Sequence, residues 1–189
     1  MDLKIVYAKP KTTTRSKKNC TYPYLLGSLQ IDRPNQVWQY IPMHRGFMYL
    51  VAVIDVYSRK TMNRSVSNTM PAAWCTEVLE DTIKKYGKPE IHNSGQGSQF
   101  TGEEFTGALK KNEIQISMDG KGRASDNVHI ERFWRSVKQE KIYLNLPDGG
   151  VGLYQIIREH IEFYNNQRRH TEIGKIPPNQ RFYNQKMVG

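Results

Sequence analysis

Hydrophobic and polar positions alternate with two different periods along this chain, and the switches between them mark its elements. Phe47 to Tyr57 (FMYLVAVIDVY) is almost continuously apolar, interrupted by Asp55. A run this short and rich in Val and Ile predicts a strand buried on both faces. Ser58-Arg59-Lys60 turns the chain, and Thr61–Ser67 returns as the second strand of a hairpin. Pro71, after Thr69 as N-cap, opens a helix that Gly87 closes, with Cys75, Leu79, Ile83 and Tyr86 on one face. Pro89 to His92 predicts a short strand that feeds the polar loop SGQGSQFT. Glu103–Asn112 is a second helix, with Phe105, Ala108 and Leu109 inward, and Ile114–Ser117 a further short strand. A third helix spans about Asn127 to Ile142 on the apolar side Ile130, Phe133, Trp134 and Val137. A fourth runs near Leu153 to Asn166. A hairpin of long strands followed by alternating helices and short strands is an α/β pattern.

With 189 residues, 38 % hydrophobic and 24 % charged, the composition is that of a folded domain. The apolar run at Phe47–Val56 is far short of the roughly 20 residues that a membrane span needs. The basic N-terminus has no apolar core for a secretory signal. Two cysteines, Cys20 and Cys75, exclude a disulfide framework and a cysteine-rich zinc site. These features point to a cytoplasmic protein without a membrane partner. Charge adds more: 28 Lys and Arg against 18 Asp and Glu give a net charge of +10. Seven of those cations and two acids lie in residues 1–33, so half of the excess sits in what reads as a basic arm, ahead of a core over 34–185. Such an imbalance suits a polyanionic partner, because neutralised phosphates release counterions. It also suits a merely solvated tail.

Three places carry candidate chemistry. Glu131 stands among Arg132, Arg135 and Lys138 on the third helix, as either a surface ion-pair cluster or a metal-binding carboxylate in a phosphate-binding face. The loop His92-Asn93-Ser94-Gly95-Gln96-Gly97-Ser98-Gln99 follows a strand but lacks phosphate-loop spacing. Gln167-Arg168-Arg169-His170 ends a helix, where cations also suit the helix dipole. None is specific alone.

In order, the segments LVAVIDVYSRK, IHNSGQGSQFT, ASDNVHIERFWRSVKQE and YNNQRRH…PP resemble the core of insertion-sequence transposases of the retroviral-integrase superfamily. The nearest likeness is to the product of the second reading frame in the third insertion-sequence family, over about Tyr22 to Tyr183. That resemblance implies a ribonuclease-H-like mixed sheet flanked by helices and DNA strand transfer. It also implies Mg²⁺ or Mn²⁺ held by two Asp and one Glu, since hard divalent ions take oxygen ligands. Transferred to this chain, the catalytic, metal-binding Glu is Glu131. The second carboxylate falls 36 positions earlier, at Gly95. The first belongs in a string that here runs Trp38-Gln39-Tyr40-Ile41-Pro42, shorter by about four residues with its Asp gone. On that resemblance two of three ligands are missing, and weak metal binding is expected. Asp55 is the tempting substitute.

Four residues are worth roughly 13 Å of strand. The first core strand should be cut short, unless flanking residues such as Gln36 and Val37 are drawn into it. The resemblance also implies DNA contacts, at transposon ends and target, by Lys121, Arg123, Asn127, Arg132, Arg135, Lys138, Arg168, Arg169 and His170. Arm residues Lys9, Lys11, Arg15, Lys17 and Lys18 add to these. It implies a homo-oligomer, or association with a helix-turn-helix protein from an upstream frame, on the bacterial nucleoid. The expected function is that of a transposase core impaired in catalysis. The alternatives are an inactive DNA-binding or regulatory module that associates with active transposase, and a decayed transposon remnant.

Overall fold

A computed structural model of the chain describes residues 20–45, 48–120, 133, 135–142 and 149–186. Five strands form one mixed sheet: β1 (Val37–Arg45), β2 (Met48–Asp55), β3 (Thr61–Ser67), β4 (Ile91–Ser94) and β5 (Gln115–Met118). Their spatial order is β3-β2-β1-β4-β5. The hairpin strands pair antiparallel, whereas β1–β4 and β4–β5 are parallel, which is the mixed sheet flanked by helices that the resemblance implies.

The apolar run in β2 is divided between two cores by the period-2 alternation of strand side chains. Val51 and Val53 join Trp38 and Tyr40 under α1 (Ala72–Tyr86) and α3 (Glu103–Lys111), whose Leu79, Phe105 and Leu109 are fully buried. Leu50, Ala52 and Ile54 face the other way. They meet Phe133, Val137 and, on α4 (Gly149–Asn166), Leu153, Ile157 and Ile161. Gly87 ends α1 at φ +86°, the conformation in which glycine carries no side-chain penalty, and its N–H closes on Ile83 O. Pro71 precedes α1 as its N-cap, and Thr69 makes no capping bond to it.

Three features depart from or extend the sequence reading. First, β1 is nine residues long, because Val37 is drawn into it and pairs with β4, followed by Trp38, which pairs with both neighbours. Trp38 lies opposite Asp55 and His92, and Gln39 opposite Ile54 and Asn93. The strand therefore keeps its length by pulling in upstream residues. Second, residues 20–31 have no regular structure yet lie on the sheet: Leu25, Leu26, Leu29 and Ile31 pack against Val37, Val56 and Ile91. Leu25 N donates to Ser117 Oγ and Met118 N to Pro23 O. Third, two helices go beyond the expected set, α2 (Ser98–Thr101) inside the polar loop and α5 (Pro178–Lys186) after the Pro pair. Phe182 anchors α5 in the main core. Beside it Lys60, 3 % exposed, donates to Tyr183 OH and lies 4.5 Å from the Phe182 ring.

Candidate functional site

The expected metal centre lies where β1 and β4 run side by side. Ile91 and Asn93 alternate onto one face of the sheet, together with Val37 and Gln39 from β1 and Gln115 and Ser117 from β5, and Gly95 and Asp119 directly follow the ends of β4 and β5. That face carries a closed set of amide and hydroxyl contacts. Ser117 Oγ donates to Asn93 Oδ1 at 2.8 Å, Asn93 Nδ2 to Asp119 Oδ1 at 2.7 Å, and Gln96 Nε2 to the Asp119 carbonyl at 2.9 Å. Gly95 offers no side-chain oxygen. A Cβ built there meets nothing within 4 Å, so the position has room for a carboxylate that it lacks. Asp119, 7 % exposed, carries no signal in the sequence; it is placed by its N–H donating to Ser94 O at 3.0 Å and by its bond to Asn93. Among the described residues no group of three His, Cys, Asp or Glu side chains gathers as a metal site. Glu131 and the candidate DNA contacts Lys121, Arg123, Asn127 and Arg132 lie outside the described residues, as do Lys9, Lys11, Arg15, Lys17 and Lys18 of the arm. The donors described here do not fit a two-ion carboxylate centre.

Asp55 does not fill the gap. It is fully buried, and both its oxygens are engaged by the backbone: Oδ1 accepts from Asn35 N at 2.8 Å, Oδ2 from Ser58 N at 2.8 Å and Ser58 Oγ at 2.5 Å. It closes the turn between β2 and β3 and tethers the entry to β1.

His92 is on the opposite face from Asn93, fully buried between Tyr40 and Phe105 with ring centroids 5.7 and 5.5 Å away. Neither ring nitrogen has a hydrogen-bond partner, and burial pushes its pKa from 6.5 down to about 3. The folded protein therefore holds the neutral ring, while the unfolded chain protonates it near pH 6.5. Its contribution is fully present above that pH and is lost as pH falls from 6.5 toward 3. At pH 5 this amounts to about 2 kcal/mol. His92→Phe is expected to flatten the stability profile between pH 7 and 5, measured by urea unfolding at each pH. An unchanged slope would assign the acid sensitivity to other groups.

The cationic candidates converge elsewhere. A cleft of about 510 Å³ is lined by Arg59, Phe133, Arg135, Ser136, Gln139, Glu140, Tyr164, Arg168, Arg169, His170, Thr171 and Glu172. The fold brings Arg135 together with Arg168, Arg169 and His170; Lys138 lies on the same helical segment but does not line the cleft. Arg59, which the sequence reading took as part of a turn, joins them from the β2–β3 connection. The floor is aromatic: Tyr164 stands edge-to-face with Phe133 at 5.0 Å and with His170 at 4.7 Å. Burial holds the Tyr164 hydroxyl protonated, its pKa raised to about 12. Burial, then Arg168 and Arg59, lowers the pKa of His170. The loop that carries these cations is fixed by Lys175 N donating to His170 O at 2.8 Å and by Gly174 in the left-handed region. Two carboxylates share the space. Arg168 Nη1 donates to both oxygens of Glu140 at 2.6 Å, and Arg59 Nη2 lies 3.4 Å from Glu172 Oε2.

Similarities to known proteins agree with this geometry. The integrase core domain family matches residues 31–124, and a second integrase core domain family matches residues 112–178. The transposase for insertion sequence element IS904 of Lactococcus lactis is 31 % identical over 178 residues, which cover 90 % of this chain and 70 % of that protein. The InsF transposase for IS3fB of Escherichia coli is 31 % identical over 162 residues, covering 82 % and 56 %. An uncharacterized 31 kDa protein of insertion element IS600 from Shigella sonnei is 31 % identical over 90 % of this chain and 66 % of its own length. The chain thus spans between 56 % and 70 % of the length of these relatives. Among solved structures, the HTLV-2 integrase catalytic core domain in complex with magnesium superposes with a TM-score of 0.65 at 19 % identity, over 79 % of this chain and 97 % of that one. A simian T-cell lymphotropic virus intasome gives 0.70 at 16 % identity, over 88 % of this chain and 62 % of that one. No described helix is long and apolar enough to cross a membrane. Sequence likeness along nine-tenths of the chain, on the sheet order described above, leads to one conclusion: this chain belongs to the IS3 family of insertion-sequence transposases and is built on an integrase core domain.

Proposed function

We propose that this chain is a DNA-binding integrase core of the transposition machinery whose own strand-transfer chemistry is lost. The observation that carries the reading is the pairing of a cation-lined cleft with Gly95 and the amides of Gln39 and Asn93 at the heart of the sheet. The family's reaction needs a divalent ion to activate the attacking oxygen and stabilise the leaving one. Amides and a glycine are poor company for such an ion. Glu131 stands as the remaining catalytic carboxylate, alone of the three. What the chain's own residues do is bind: the arginines of the cleft and the third helix take backbone phosphates. In that role the protein occupies DNA ends, by itself or among active copies.

Phosphate contacts carry little sequence information and are strongly salt-dependent. Affinity for duplex DNA should fall steeply between 50 and 200 mM salt, on unrelated sequences alike. Arg168→Ala with Arg169→Ala should weaken binding by a similar factor on every duplex and lower the log–log salt slope by about 1 to 2. The unmodified chain should give no strand transfer with Mg²⁺ or Mn²⁺. Salt-independent binding, or metal-dependent strand transfer that Glu131→Gln abolishes, would overturn the reading.

A further inference from the structure

The cleft holds four arginines and two glutamates, and the glutamates are placed on its arginines from other elements. Glu140 lies in the π-helical turn Lys138–Ile142 and reaches Arg168 just past the end of α4. Glu172 lies in the 3₁₀ turn Thr171–Ile173 and reaches Arg59, 113 positions away in the chain. A guanidinium presents the same planar fork to a carboxylate and to a phosphate, so each pair occupies a donor set that a phosphodiester could take. As stabilising contacts the pairs are weak. The Arg168 and Glu140 side chains are 32 % and 42 % exposed, and ion pairs in contact with water contribute little. A π-turn, unfavourable in itself and frequent at functional sites, is what presents Glu140 to the cleft.

We propose that Glu140 and Glu172 are built-in competitors for the DNA backbone, each holding a cleft arginine in a carboxylate pair that a phosphodiester replaces on binding. The inference rests on the reading of the cleft as a DNA surface. The exchange keeps each guanidinium hydrogen-bonded in both states, so it costs little, and it lowers affinity for DNA by the free energy of the pairs broken. The glutamates thereby keep the protein exchangeable on DNA in spite of its net charge.

The test is fluorescence anisotropy with a labelled 24-base-pair duplex at fixed salt, on the full chain and on isosteric variants. Glu140→Gln should tighten binding roughly fourfold and Glu140→Gln with Glu172→Gln by about tenfold. The matched control is Glu113→Gln, which removes the same charge and frees Lys88 from an exposed 2.7 Å pair away from the cleft. It should change affinity by less than about twofold. In an Arg168→Ala background the gain from Glu140→Gln should vanish, because the cation it releases is gone. If the duplex binds but Glu140→Gln tracks Glu113→Gln, weakens binding, or keeps its effect without Arg168, the competitor role is wrong while the DNA surface stands. If neither the unmodified chain nor any variant binds the duplex at low salt, the DNA reading falls with it. Glu172→Gln alone reads the same outcome through Arg59, should Glu140→Gln disturb the π-turn.

Discussion

Gln39→Asp combined with Gly95→Asp is expected to raise Mn²⁺-dependent strand transfer on a supplied DNA end on the order of a hundredfold over either single variant, each single staying at background. The register of β1 gives the reason. Reinserting four residues after Gln39 is the direct repair, yet β1 already spans nine residues, with Trp38 fully buried and its Nε1 donating to Asn35 Oδ1. An insertion after Gln39 would break the register that β1 now holds with β2 and β4 on one side of the insertion. Gln39, by contrast, stands opposite Asn93, two positions before Gly95. Neighbouring strands lie about 4.8 Å apart and two residues span about 6.6 Å, so aspartates at the two positions can share a cation. Glu131 would complete the set, and Glu131→Gln in the double variant should return it to background. Gly95→Asp enters open space. Gln39→Asp buries a carboxylate at a site only 2 % exposed, so without metal its melting temperature should drop. Mn²⁺ should raise the melting temperature of the double variant and of no other, because only there does the folded state bind it. Activity in either single variant would mean that the missing ligands are assigned wrongly.

The second large effect is on stability. Asp55→Ala removes an acceptor for two backbone N–H groups and one hydroxyl, those of Ser58 in the buried turn and that of Asn35 at the entry to β1. Hydrogen bonds to a charged group and stranded buried donors together suggest a loss of about 3–5 kcal/mol. That is a large share of the usual 5–15 kcal/mol for a domain, so the variant should be partly unfolded at 37 °C. Asp55→Asn keeps one accepting oxygen and should lose about half as much. Urea unfolding measures both. Metal calorimetry on Asp55→Asn, compared with the unmodified chain, should show no change in Mn²⁺ binding, and a lost metal site would restore Asp55 as a ligand.

How much of this was legible in the chain depends on how local the cause is. The apolar run of β2 and the turn at Ser58-Arg59-Lys60 follow from side-chain chemistry over a few residues, as do the helix ended by Gly87 and the strand before the polar loop. The hairpin and the helix appear where the pattern puts them; the short strand, expected at Pro89–His92, forms two residues later, at Ile91–Ser94, because its ladder with β1 and β5 takes in Asn93 and Ser94. Gly95 and the shortened string after Trp38 show on inspection of the sequence that carboxylates are absent, because a missing side chain needs no structure to be missed. Asp55 looked like a candidate ligand because a lone acid in an apolar strand carries no label for its partners. The structure supplies those partners, Asn35 and Ser58.

The chain by itself determined the α/β order, the family likeness, the basic excess and the glycine at position 95, all of which are properties of residue type and spacing. Tertiary structure decided the rest. It drew Val37 and Trp38 into β1, since a central strand gains hydrogen bonds on both sides for each residue added. It laid Leu25, Leu26 and Leu29 on the sheet, since aperiodic apolar residues still gain by leaving water. It brought Arg59 to Glu172 across 113 positions and Glu140 to Arg168 across 28. Such long-range meetings are set by the packing of whole elements, and no window of sequence contains both partners.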